Sequence, residues 1–195
     1  MVRFVLAILA ALLVGHWWLS SRPIERPPGV LAPEAPLQED LENGPSFELE
    51  GHRLRALARF SLTARVLGAE RYRYDRGAVL SPVDLALGWG PMSANVVLDR
   101  IEVDQYGRFY FWQTDEPVID LNEIAIHSAN MHMIPADDAV RDVLLDARVG
   151  NLVELEGYLV DVTGDDGFRW TSSLRRTDDG GGACEVVYVC GISTH

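Results

Sequence analysis

Apolar residues run almost without interruption from Val5 to Leu19, broken only by Gly15 and His16 and closed by the pair Trp17–Trp18. A bilayer-spanning helix needs about 20 apolar residues, with roughly 17 as the lower limit, and counting Val2 and Phe4 brings this run near that limit. Bulky His16, Trp17, Trp18 and Leu19 stand where a secretory signal places small residues for cleavage, and paired Trp suits the lipid–water interface. Residues 1–21 therefore read as a transmembrane signal anchor, with cleavage near Leu19-Ser20-Ser21 as the alternative. Arg3 precedes the run and Arg22 and Arg26 follow it, so the positive-inside rule discriminates little. A single N-terminal segment is normally an export signal, which places the body in the periplasm of a bacterial inner-membrane protein.

Downstream the pattern changes twice. Residues 22–45 hold six of the ten prolines with scattered acidic residues, a composition that predicts a disordered tether. Residues 46–195 fall in the size range of one domain. Phe60, Leu62, Ala64 and Val66 alternate with polar neighbours, which is strand periodicity. Ser81-Pro82-Val83-Asp84 has the form of a helix start leading into Leu85–Leu87, and Ser93 is placed to cap a turn through Val97 and Leu98. Residues 101–104 and 108–112 predict a hairpin, and Asp137 or Asp138 should cap an amphipathic helix containing Val140, Val143 and Leu144. The stretch 152–162 reads as a long strand with a bulge or bend at Gly157, followed by a turn at 164–167, a strand at 168–172 and another at 185–189. The expected class is α+β and mainly antiparallel β, with a small barrel-like C-terminal part of OB or SH3-like kind.

The chain contains no lysine, which excludes Schiff-base, phosphate-loop, kinase-type and Ser–Lys chemistry. Its 29 acidic against 17 basic side chains give a formal charge of −12, which disfavours nucleic acid as a partner. No cofactor-binding or metal-ligating signature is present.

Three groups of residues can carry chemistry. His127 and His132 lie in the HSANMHMIP segment, whose spacing does not match H-E-x-x-H; Asn130 between them suits a tight loop closed by Pro135. Cys184 follows a glycine-rich stretch, and with His127 or His132 it would supply the minimum of a thiol nucleophile. That stretch resembles the Cys loop of bacterial L,D-transpeptidases without their Ser-His-Gly-Cys pattern. A strand from Cys184 to Cys190 would hold the two Cα atoms roughly 20 Å apart and exclude a disulfide between them. The acidic set Asp161, Asp165, Asp166, Asp178 and Asp179 reads as solvated turns. For binding, the aromatic hairpin Tyr106, Phe109, Tyr110, Phe111 and Trp112 offers at most one side, because alternating aromatics are half core; Tyr110 and Trp112, with Asn130 and Arg175, are the candidate binding residues.

The segments HSANMHMIPA, GYLV and SSLRRTDDGGGACE, with SPVDLALGWGPMS and GRFYFW upstream, resemble an uncharacterised family of bacterial proteins with one N-terminal membrane segment, over residues 58 to 189. Cys190 and Asp179-Gly180 depart from that pattern. The resemblance implies membrane attachment or export and no particular activity. Two functions are open: a membrane-anchored binding or assembly module that recognises an envelope protein or cell-wall component, or a Cys/His thiol hydrolase or acyltransferase.

Overall fold

The computed structural model describes residues 22–175 and 183–195. The expected anchor and the whole DDGGG segment lie outside the described residues. Among those residues the protein is α+β, mostly antiparallel strand with short helices.

The framework is β3 (His52–Arg71), a strand of 20 residues. Residues 52–65 of this strand pair with β8 (Leu152–Gly164) and residues 65–71 with β4 (Val83–Gly88). β4 pairs with β7 (Ser128–Pro135), β7 with β10 (Glu185–Thr194) and β10 with β8, so the path of pairings returns to β3. Every contact in this circuit is antiparallel except β7–β10, which is parallel. β1 (Leu37–Asp40) and β2 (Ser46–Leu49) extend the sheet beside the first half of β3, and β9 (Arg169–Thr171) pairs with β8. β5 (Glu102–Tyr106) and β6 (Phe109–Gln113) form a separate hairpin, and the helices are α1 (Asn95–Leu98), α2 (Leu121–Ile126) and α3 (Asp138–Asp146).

Alternation along β3 buries Leu54, Ala56, Ala58, Phe60, Leu62, Ala64 and Val66. A bulge between Ala56 and Ala58 interrupts this apparently even series. Facing residues of a ladder share one side of a sheet, and an inserted residue reverses the sides. Leu54, opposite Val162, therefore joins an outer apolar cluster with Leu80, Ile134, Val160 and Val186, whereas Ala58, opposite Leu159, opens the main core with Leu85, Met131, Met133 and Val187. Gly157 is not itself a bulge. It lies against the bulged part of β10, where a Cβ would stand 2.0 Å from the Tyr188 carbonyl oxygen.

Asp137 caps α3 by accepting from the Val140 amide at 2.9 Å, and Val140 and Leu144 face the main core. The hairpin and the strands at 152 and 185 also form as the pattern predicts. Three local expectations need correction. Residues 83–88 are strand: all six are buried on β4 between β3 and β7, and pairing on both sides outweighs the helix-start signal of Ser81-Pro82. The HSANMHMIP segment is likewise a strand, β7, buried along most of its length, with Pro135 as its last residue. α1 forms, but Ser93 does not cap it; the hydroxyl donates to Gly90 O and accepts the Leu31 and Ala32 amides.

Much of the expected tether, residues 22–45, packs on the body. The Ile24 amide donates to Val149 O at 2.9 Å, Ala32 is completely buried in the main core, and β1 adds to β3. Composition misleads here because the docking uses hydrogen bonds of the backbone and of Arg26 and one small buried apolar side chain, Ala32. The lack of a side chain at Gly150 makes the approach possible: a Cβ there would fall 2.2 Å from Ile24 O. Limited proteolysis should spare residues 24–40, and Ala32→Asp should cost about 3 kcal/mol of stability by placing a carboxylate in the core. First cleavage within 24–40, with an unchanged melt for Ala32→Asp, would contradict this packing.

Candidate functional site

The outer face of β4, β7 and β10 carries polar side chains where an apolar covering would be expected. Register puts Asp84 of β4 opposite His132 of β7, and His132 beside Val186 of β10; two residues along, on the same face, Ala86 is opposite Asn130. Asp84 is completely buried and His132 and Asn130 nearly so. Ionised groups withdrawn from water need charged or hydrogen-bonding partners, and the hairpin supplies them.

The turn between β5 and β6 is Gly107-Arg108, with φ of 60° and 71°. Two successive positive φ angles are the signature of a type I′ turn, uncommon for an arginine. Arg108 then reaches into the body. Its Nη1 donates to Asp84 Oδ1 at 2.7 Å, and its Nη2 donates to Ser81 O at 3.0 Å and to both Asp75 oxygens at 2.8 and 3.0 Å. The guanidinium carbon lies 3.6 Å from the Tyr72 ring centroid, a close cation–π contact, and the Arg108 amide donates to the Tyr72 hydroxyl. Burial, followed by the Asp84 charge, pushes the Tyr72 phenol up to about 12.

Behind Arg108, its carbonyl accepts Asn130 Nδ2 at 3.1 Å and lies 4.0 Å from Cys184 Sγ. Asn130 Oδ1 in turn accepts Gln105 Nε2 at 2.7 Å. His132 Nδ1 stands 2.9 Å from Asp84 Oδ2 without the alignment of a hydrogen bond, and its ring packs on Trp170 at 4.5 Å. The arrangement is a buried carboxylate between a guanidinium and an imidazole, under an aromatic rim of Tyr72 and Trp170.

This face brings together three of the residues expected to act, Asn130, His132 and Cys184. His127 lies apart. Five extended steps along the chain put it roughly 16 Å from His132, with its Nδ1 at 2.9 Å from Glu123 O and its ring against Gly90. The two rings thus do not converge. Tyr110 and Trp112 occupy the inner face of the hairpin, packed toward Met92, Val97 and Ile124. The Tyr110 hydroxyl meets Ser128 Oγ at 2.7 Å, and burial pushes its phenol up to about 12. These two are packing residues, and the exposed aromatics of the hairpin are Tyr106, Phe109 and Phe111. Arg175 is exposed, its amide donating to Ser173 Oγ at 2.9 Å. Cys190 is exposed on β10, and neither cysteine is in a disulfide. Among the described residues no group of three or more His, Cys, Asp or Glu side chains is placed to hold a metal ion.

Sequence reasoning missed Asp84 and Arg108. The signal for Asp84 was an acidic residue inside the apolar run VDLALG, and for Arg108 an arginine directly after the turn glycine. Comparison with known protein families, curated proteins and solved structures returns no match.

Removing the guanidinium leaves the Asp84 carboxylate buried with fewer donors. Arg108→Met should therefore cost about 3–5 kcal/mol in urea unfolding. Arg53→Met, which breaks a pair with Glu48 whose side chains are both 68% exposed, should change stability by less than about 1 kcal/mol. Equal effects for the two variants would remove the energetic case for the buried cluster.

Proposed function

We propose that the protein is a membrane-anchored binding or assembly module of the bacterial cell envelope, its body in the periplasm, recognising an envelope protein or cell-wall component. The observation that carries the reading is the outer face of the hairpin. Tyr106, Phe109 and Phe111 are 79%, 45% and 53% exposed on a platform whose other face is packed and whose tip is tied to Asp84. Grouped exposed aromatics on a rigid support suit recognition, because little conformational freedom is lost on binding. Glu102 and Asp104 are exposed on the neighbouring strand, and the net charge of −12 argues for a partner other than nucleic acid.

The body is read as a five-stranded barrel of OB type. Supporting this are the circuit β3-β4-β7-β10-β8, the parallel β7–β10 pair and the position of α3 between β7 and β8. Binding by that class of barrel uses the face of its second and third strands, which corresponds here to β4 and β7 beneath the hairpin. The hairpin, inserted between those strands, moves the exposed surface outward to its own aromatics.

The second reading, a thiol hydrolase or acyltransferase, draws support from the contact of Asp84 with His132 Nδ1 and from Cys184 near the same Arg108 carbonyl. It requires Cys184 to ionise as a His132-coupled thiolate, so its alkylation profile would shift in His132→Ala.

Photo-crosslinking from position 106 in intact cells, carried out with and without the Phe109→Ser/Phe111→Ser double substitution, tests the binding reading. The double variant should lose at least about tenfold of the specific partner while melting within a few degrees of the wild type, because both rings are largely outside the core. Undiminished recovery would remove the hairpin as the recognition surface.

A further inference from the structure

The chain meets the body almost as soon as it leaves the apolar run. That run ends at Leu19, and by Ile24 the backbone is hydrogen-bonded to Val149. Arg26 fixes the segment further: its Nε donates to Gly150 O at 2.5 Å, its Nη2 donates to the backbone oxygen of His195, and its own carbonyl accepts Asn95 Nδ2 at 2.8 Å. Leu31 and Ala32 then dock on Ser93. Five extended steps separate Leu19 from Ile24, which limits the span to roughly 17 Å.

Around this point of entry the body exposes valines. Val149 is 38% exposed and adjoins Gly150, Val96 is 67% exposed and follows Asn95, and Val30 is 51% exposed and precedes Leu31. Val149 itself accepts the Ile24 amide, Val96 follows Asn95, which holds Arg26, and Val30 lies within the 22–32 segment beside the docked Leu31. The turn Gly164–Gly167 lies at the opposite end of β8, twelve extended steps or up to about 40 Å from Leu152.

We infer that the end of the body formed by Val30, Val96 and Val149 is a lipid-facing surface, seated on the headgroups of the bilayer that holds the anchor. This rests on the anchor reading of residues 1–21. The occupant follows from chain length: with so few residues between the apolar run and the first fixed contact, the membrane surface is the structure that must lie against this end. The Val side chains add modest apolar burial at the interface, and the anchor supplies most of the attachment. A partner reached by the protein is therefore one at or close to the membrane surface.

The test uses full-length protein in vesicles of phosphatidylethanolamine and phosphatidylglycerol carrying a headgroup-linked quencher, with a coumarin amino acid incorporated at position 96, 149 or 166. Flotation with the vesicles reports the anchor, and quenching reports the seating. Labels at 96 and 149 should be quenched at least threefold more than the label at 166. A flexible Gly/Ser insertion of about 20 residues between Ser21 and Arg22 should abolish the difference while leaving flotation unchanged. Flotation with equal quenching at all three positions would overturn the seating and leave the anchor standing. Failure to float would overturn the anchor reading itself, and the seating with it.

Discussion

A carboxylate with no exposure to water must be compensated within the protein, and Asp84 is compensated by residues from three separate parts of the chain. Ser81 comes from the connection before β4, Arg108 from the hairpin tip and His132 from the neighbouring strand. Arg108 is the element that makes this more than a local contact. Its guanidinium closes on Asp84 and Asp75 while its amide and carbonyl engage Tyr72 and Asn130, so one residue ties the hairpin, the 72–82 connection and β7 together. A buried ion pair is seldom worth more than a well-packed apolar substitute, but breaking one member is costly. The cluster thus selects one position for the hairpin more than it raises total stability.

That positioning explains how the two faces of the hairpin acquire different roles. Tyr110 and Trp112 turn inward against Met92, Val97 and Ile124, and the alternation of a strand then obliges Phe109 and Phe111 to turn outward. The same periodicity that builds a small core beneath the hairpin creates an exposed aromatic surface above it. In the proposed function this surface is the recognition element, and the short connection from the apolar run holds it at a limited height above the membrane.

Periodicity made part of this legible from sequence. Strand alternation at Phe60–Val66, the hairpin, the Asp137 cap and the late strands were all readable because each signal is local. What could not be read depended on long-range pairing. Val83–Gly88 carries a helix-start sequence and becomes a strand because β3 and β7 pair on both sides of it. The reversal of faces at the Ala56–Ala58 bulge is invisible in a series whose even positions stay apolar throughout. Residues 22–45 have a tether's composition, yet partners 62 to 169 positions away, the Ser93 hydroxyl and the His195 backbone oxygen among them, fix part of them. At the site, Asn130, His132 and Cys184 were named from sequence and share one face, but Asp84 and Arg108, which organise that face, were not among the candidates, because their roles depend on pairing between distant parts of the chain.

The dependence of the hairpin on Asp84 is measured most directly by native-state hydrogen exchange, comparing Asp84→Asn with the wild type. Loss of the buried charge should lower protection of the β5 and β6 amides by at least about tenfold, with β8 and β10 changing less, because the hairpin is then free to open without unfolding the sheet. Protection in the hairpin that stays at the wild-type level, or that falls only in step with the whole sheet, would contradict the account.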